Sequence, residues 1–287
     1  SGRTMMIAQQ LYEGIVLGRQ GATGLITYMR TDSTRISNLA VDEARGYISA
    51  EYGKEYIPMR PNIYAMGKKA QDAHEGIRPT SILRTPADVE HYLNRDQLRL
   101  YTLIWQRFAA SQMSAAVYDT ISAQISAGDY QLRAHGSKLK FRGYTAVYVG
   151  AEISKKEKDT LLPELAAGDS LAISALNPEQ HFTEPPPRYN DASIVKTLEE
   201  MGIGRPSTYA PIIETIQKRG YVERREKQFH PTELGFIVTD MLEEYFKHIV
   251  DVKFTANLEG ELDEVADGSL DKNDLLRNFY NPFEEML

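Results

Sequence analysis

The period of the hydrophobic pattern changes twice along this chain, and that limits the folds open to it. Before residue 117 apolar residues recur at helical spacing. Ile7, Leu11 and Ile15 fall at i, i+4 and i+8, and Leu98, Tyr101, Trp105 and Phe108 make a second stripe. From Tyr118 to Ser126 the period becomes two, with Ile121, Ala123 and Ile125 on one face. After Pro185-Pro186-Pro187 the helical period returns. One packing period cannot serve both patterns, so a mostly β middle third between mainly helical parts is expected. The expectation is an α+β chain.

Finer reading places the elements. A helix capped by Thr4 runs to Ile15, broken by Gly18 and Gly21, and Leu25 to Met29 reads as a short strand. A second helix begins near Ser37 and stops before Gly53, and a third starts from an Asp96 cap. Tyr118 to Ser126 is a strand, Gly128-Asp129 a turn, and Tyr130 to Ala134, Leu139 to Phe141 and Ser170 to Leu176 are further strands around a charged loop at Lys155 to Asp159. Helices over Asp191 to Met201 and Ser207 to Lys218 precede a hairpin of Tyr221 to Arg225 and Lys227 to Pro231, the order of a winged helix-turn-helix. The boundaries this predicts are 1–116, 117–178 and 179–287. The chain ends at Phe283 to Leu287 with no stop signal, so continuation in a longer protein is expected.

Composition removes several classes. No apolar run approaches the about 18–20 residues that span a bilayer. There are 0 cysteines, hence no disulfide framework and no thiolate zinc site. The net charge of −7 looks wrong for a nucleic-acid binder, but Glu233 to Leu287 holds 14 acidic and 4 basic residues, a net of −10. The first 232 residues therefore sum to +3, and local field decides where a polyanion docks.

Three constellations can carry chemistry. In Gly24 to Thr34, Tyr28 ends an apolar strand beside a polar turn, and strand alternation puts Tyr28 and Arg30 on one side. A tyrosine that attacks phosphate needs a cation to stabilise the phenolate and the charge growing on the phosphoryl oxygens, and the arginine fork matches two of them. With 17 tyrosines in the chain, the plain alternative for one on a strand is packing. In Ala73 to Thr80, His74 and Arg78 are four apart, so one helical turn aligns two phosphate donors; a capping or surface ion pair is the alternative. A zinc-protease reading fails, because Arg78 stands where H-E-x-x-H needs its second histidine. In Gly202 to Ala210, glycines, Arg205, Pro206, Ser207 and Thr208 make a helix start with free N–H groups, a phosphate site or an ordinary cap above a basic face. Tyr209 and Tyr221 add stacking surfaces for unpaired bases. No aspartate has another two residues on, so D-x-D metal clusters are missing.

Together these segments resemble bacterial type IA DNA topoisomerase I. Leu25-Ile26-Thr27-Tyr28-Met29-Arg30-Thr31-Asp32-Ser33 is similar to the family's active-site segment, with Met29 favouring the topoisomerase I branch. Ala73-His74-Glu75-Gly76-Ile77-Arg78-Pro79 and Gly202 to Ala210, continued by Gln217 to Val222, match two further motifs in the family's order. The resemblance runs from Met5 to about Leu275.

The resemblance implies an enzyme that relaxes negatively supercoiled DNA without ATP. Tyr28 would attack one strand of underwound, locally single-stranded DNA and form a 5′-phosphotyrosyl bond; the intact strand passes and the 3′-hydroxyl reseals the break. Arg30 would hold the scissile phosphate, His74 would help position it, and Glu75 and Arg78 would orient that shell. Arg205, Ser207 and Thr208 would grip the bound strand, with Arg219 adding a phosphate contact. Residues 1–116 would be the tyrosine domain, 117–178 half of a β-rich arch, and 179–287 a helical base domain with the winged-helix-like element. The family's Toprim domain, which binds Mg²⁺, and its C-terminal zinc-ribbon or basic repeats have no counterpart here. The expectation is that this chain binds no Mg²⁺ itself, needs the Toprim part of its own polypeptide, and does not relax DNA alone. A bacterial cytoplasmic location, no membrane and a monomeric whole enzyme are also implied.

Two rivals differ in class or order. A tyrosine recombinase places its histidine and arginines before the tyrosine and pairs them as H-x-x-R, whereas Tyr28 comes first here and the pair is His74-x-x-x-Arg78. A non-catalytic winged-helix module that binds single-stranded DNA explains Arg205 to Lys227 but gives no reason for Leu25 to Ser33.

Overall fold

The computed structural model describes residues 1–64, 74–148 and 162–286. They form two compact units, Ile7–Phe182 and Ser1–Met6 with Thr183–Leu287. Strand and helix are both present, in small two-stranded sheets among helices, and the α+β expectation holds.

Among the described residues, the unit Ile7–Phe182 is built around three long helices. Helix α1 (Gly2–Glu13) buries Ile7, Ala8 and Leu11. Helix α2 (Asn38–Glu51) starts where Ser37 accepts a hydrogen bond from the Ala40 N–H, and it buries Ala40, Val41, Ala44 and Ile48. After the single turn α3 (Pro86–Val89), helix α4 (Arg95–Ser111) buries Tyr101, Trp105, Phe108 and Ala109. The predicted stripe is therefore real, but its cap is Asn94, which forms a capping box with Gln97; Asp96 lies inside the first turn. Ile15 leaves the helix to pair in the short strands β1 (Ile15–Val16) and β2 (Ala22–Thr23), which explains why the first stripe stops at Leu11.

Strands β3 (Val117–Ala127) and β4 (Tyr130–Phe141) form one long antiparallel hairpin around Gly128-Asp129. The two strands predicted over 130–141 are one, because the ladder continues through Gly136 opposite Ile121. The Ile121 face of the hairpin is open, with Ile121 48% exposed, since no second layer covers it among the described residues. Its base is anchored where the Phe141 ring meets Tyr56 at 4.7 Å. Ser170 to Leu176 is exposed throughout and pairs with no strand among the described residues, and alternation without such a partner leaves its backbone to water. The loop predicted at Lys155 to Asp159 lies outside the described residues.

The second unit carries the winged-helix order. Helix α5 (Asp191–Met201) is capped by Asn190 and ends at left-handed Gly202. Helix α6 (Tyr209–Lys218) follows, then strands β5 (Val222–Arg225) and β6 (Gln228–Pro231). Glu226 and Lys227 both adopt positive φ, 48° and 70°, which gives the hairpin a two-residue turn of the twist that strands favour. Helices α7 (Glu233–Tyr245), α8 (Lys247–Val250), α9 (Val252–Asp267) and α10 (Lys272–Met286) complete the unit. Gly235 allows α7 to sit on the hairpin base: a Cβ there would fall 2.1 Å from the Tyr221 carbonyl oxygen.

Candidate active site and nucleic-acid interface

Two of the three constellations meet in the unit Ile7–Phe182. Residues 24–27 run antiparallel beside 76–80, joined at the bridge Ile26↔Pro79. The Thr27 N–H donates to the Arg78 carbonyl at 2.9 Å and the Thr80 N–H to the Leu25 carbonyl at 3.0 Å. Side chains reinforce this pairing. The Thr27 hydroxyl donates to the Gly76 carbonyl at 2.8 Å and accepts from the Arg78 N–H at 3.0 Å, while the Thr80 hydroxyl donates to the Gly24 carbonyl at 2.8 Å. Leu25 and Ile26 are buried at 0% and 1% exposure and press the segment into the core.

The predicted strand over Leu25 to Met29 is thus a two-segment pairing that ends before Tyr28. The chain bends at Met29 and Arg30, so alternation does not extend to Arg30: Tyr28 is half-buried, Met29 buried and Arg30 exposed. The helical turn predicted to align His74 with Arg78 does not form either. Residues 76–80 are committed to pairing with 24–27, and an extended backbone sends the two side chains to different places.

His74 goes to Tyr28. Their ring centroids are 5.3 Å apart with planes at 40°. Tyr12, at the end of α1, approaches Tyr28 at 5.4 Å with planes at 66°. Tyr28 therefore has two aromatic neighbours, and the edge-to-face pair with Tyr12 adds about 0.5–1.5 kcal/mol. Tyr12 escaped the sequence reading, because α1 and Tyr28 are separated by the β1–β2 turn. The signal was Gly24: a Cβ there would lie 2.8 Å from the Tyr12 carbonyl oxygen, so only glycine lets the helix end come this close.

Arg78 turns away from Tyr28. Its Nε donates to Glu75 Oε2 at 2.8 Å, its Nη2 lies 2.8 Å from the same oxygen, and Nη1 donates to the Pro79 carbonyl at 2.9 Å. With both side chains mostly buried, this fork holds the 74–80 turn in shape. Beyond it, Glu43 of α2 accepts from the Ser81 hydroxyl and the Ile82 N–H, and the Trp105 indole donates to the Ile82 carbonyl at 2.9 Å. The segment bearing His74 is in this way tied to both α2 and α4.

Arg30 stands at the bend after Tyr28, and no described residue forms a hydrogen bond or ion pair with its side chain. The turn behind it is held by Thr31, whose hydroxyl accepts from the Ser33 N–H, and by Ser33, whose hydroxyl accepts from the Arg35 N–H. A half-buried phenol beside an imidazole, with an uncommitted guanidinium two residues on, can attack a phosphate and offset charge on it.

The third constellation lies in the other unit. Residues 205–208 form a turn and α6 starts at Tyr209, two residues later than predicted. Arg205 is engaged: Nη1 is 3.2 Å from Glu259 and Nη2 is 2.7 Å from Asp263, both on α9. Thr208 closes the turn by accepting from the Arg205 N–H at 2.8 Å. Ser207, Thr208 and Arg219 are exposed. Among the described residues no three histidine, aspartate or glutamate side chains converge on a possible metal position.

The family described as DNA topoisomerase matches this chain over residues 1–277. A solved structure of full-length topoisomerase I from Thermotoga maritima, in a monoclinic crystal form, is 40% identical with a TM-score of 0.85. The match covers 99% of this chain and 46% of that one, so the chain spans less than half the length of this relative.

Proposed function

The chain belongs to the bacterial type IA DNA topoisomerase family, and we propose that it is the tyrosine-bearing part of an enzyme that cuts and reseals one DNA strand. The observation that carries this is the convergence of two motifs about 50 residues apart on the Tyr28 ring, with His74 at 5.3 Å. In the proposed step the Tyr28 oxygen bonds to the scissile phosphorus and the bond from phosphorus to the 3′ oxygen breaks. The phenol gives up its proton and the departing 3′ oxygen takes one up. The phosphodiester energy is kept in the 5′-phosphotyrosyl bond, so resealing needs no ATP, and strand passage between the two steps relaxes negative supercoils.

Each residue has a part in this reading. Arg30 meets the scissile phosphate and offsets charge in the transition state. His74 positions that phosphate, while Glu75 and Arg78 act through the turn they hold. Ser207, Thr208 and Arg219 contact the backbone of the bound strand, and Arg205 supports the first two by fixing their turn to α9. The three-part division at 1–116, 117–178 and 179–287 describes these roles.

Among the described residues no three histidine, aspartate or glutamate side chains converge on a possible metal position, and magnesium is proposed to bind elsewhere. We assign it to the Toprim part of the same polypeptide and route no step through it. The chain alone is then expected to bind single-stranded DNA without relaxing it. The whole enzyme is read as a monomer in the bacterial cytoplasm; among the described residues no helix is long and apolar enough to cross a membrane.

Covalent capture tests this. The chain is mixed with a 3′-end-labelled single-stranded oligonucleotide and Mg²⁺, with and without a separately expressed Toprim domain, and quenched in SDS. A labelled protein band that needs both Toprim and Tyr28 is expected, and it disappears in Tyr28→Phe. Binding that is identical in Tyr28→Phe with no band under any condition would instead make this a non-catalytic single-strand binder.

A further inference from the structure

We propose that the cleft between residues 34–42 and 60–64 holds the single-stranded DNA on the 3′ side of the break, the side whose 5′ phosphate Tyr28 takes. This rests on the proposed role of Tyr28. The cleft has a volume of about 870 Å³, within the range of ligand sites. Ile36, Val41 and Ile63 give it an apolar lining, and Arg35, Arg60 and Tyr64 stand among them.

The chemistry selects the occupant. No described residue pairs with the side chain of Arg35 or of Arg60, and both side chains are exposed. Two guanidiniums against the single carboxylate of the lining, Asp42, leave the cleft net positive. An apolar surface between cations suits a strand whose bases offer their faces. A duplex stacks those faces internally and presents only edges and phosphates. Tyr64 is a fixed platform for such a face. The residue is 46% exposed, and its hydroxyl donates to the Ser111 carbonyl at 2.7 Å. Asn62 ties the same segment to the end of α4, donating to the Ser111 and Met113 carbonyls at 2.9 and 3.1 Å.

The opposite wall is continuous with the active site. The Arg35 carbonyl accepts from the Gly76 N–H at 2.8 Å, and the Gly76 carbonyl accepts from the Thr27 hydroxyl at 2.8 Å. The wall thus connects through two hydrogen bonds to the residue preceding Tyr28. After cleavage the 5′-phosphoryl end is covalently attached to this unit, so the nucleotides following it stay within reach of a site on the same unit. That relation gives the cleft its polarity.

The test uses the whole enzyme carrying Tyr28→Phe, so that binding is read without cleavage. Two fluorescent oligonucleotides share a cleavage site, one extended by five nucleotides on the 3′ side and one on the 5′ side. The 3′ extension is expected to tighten binding at least tenfold. Arg35→Ala with Arg60→Ala should abolish that gain and reduce the slope of log K against log salt by about 1.4, two phosphate contacts at about 0.7 each. Arg35→Lys with Arg60→Lys should keep most of the slope. Tyr64→Leu should lose the gain with the slope unchanged. An unchanged gain in the double alanine variant, or an equal loss for the 5′ extension, overturns the cleft proposal. Covalent capture with Tyr28 restored separates the two readings. Capture by wild type without any effect of the cleft variants leaves the nucleophile in place and removes only the cleft, whereas no capture by wild type removes both.

Discussion

The ring of Tyr12 meets the ring of Tyr28 edge-on, at 5.4 Å between centroids and 66° between planes. Tyr12 is 41% exposed, so the contact holds the Tyr28 ring rather than filling a core. Losing an edge-to-face pair of about 0.5–1.5 kcal/mol lets the ring sample other rotamers. We expect Tyr12→Leu to slow single-turnover covalent capture about 2- to 12-fold, while affinity for single-stranded DNA stays constant. Tyr12→Phe keeps the ring and should restore the rate. Slow capture in Tyr12→Phe as well would place the effect in the hydroxyl and refute packing as the cause.

Thr27 joins the two motif segments with one hydroxyl. Thr27→Val leaves the Gly76 carbonyl and the Arg78 N–H each without this partner, although the Arg78 carbonyl bond to the Thr27 N–H survives. The expected cost is about 1–3 kcal/mol, read as a lower midpoint in urea. Thr27→Ser should recover most of it. A valine variant with wild-type stability would show that the main-chain pairing suffices.

Arg205 separates structure from recognition. Its partners Glu259 and Asp263 are partly exposed, so the ion pairs are discounted to about 1 kcal/mol. Arg205→Ala should speed hydrogen exchange in α9 and leave the salt slope of DNA binding unchanged. A fall in that slope of about 0.7 would instead make Arg205 a direct phosphate contact.

Tyr101 sets an alkaline limit. Burial pushes its phenol well above the ordinary 10.0 of tyrosine, partly opposed by Arg84, with Asp88 pushing the same way as burial, and its hydroxyl donates to the Arg84 carbonyl at 2.6 Å. Above pH about 10 the unfolded chain releases this proton and the folded chain keeps it, so stability falls as pH rises. Denaturation midpoints measured from pH 8 to 11 should decline less in Tyr101→Phe, which starts lower by about 1 kcal/mol. Parallel declines in the two proteins would remove Tyr101 as the cause.

Local chemistry fixed much of this chain. The α4 stripe of Tyr101, Trp105 and Phe108, the Ser37 start of α2 and the hairpin after Tyr221 all follow from spacing and capping within a dozen residues. The motif residues could be read in order for the same reason, since their types and spacing are sequence properties. Spacing failed at 74–78, where a helical repeat was available but pairing with 24–27 offered more: main-chain bonds, the Thr27 hydroxyl, and burial of Leu25 and Ile26. It failed again at Ser170 to Leu176, where alternation met no partner strand among the described residues. Which residues surround Tyr28 was decided only in three dimensions. Gly24 lets Tyr12 in, the fork between Arg78 and Glu75 holds the turn bearing His74, and the Arg35 and Arg60 cleft is walled by residues 34–42 and 60–64. The pairing that brings His74 to Tyr28 joins segments about 50 residues apart, and no local propensity registers the burial and hydrogen bonds that hold it.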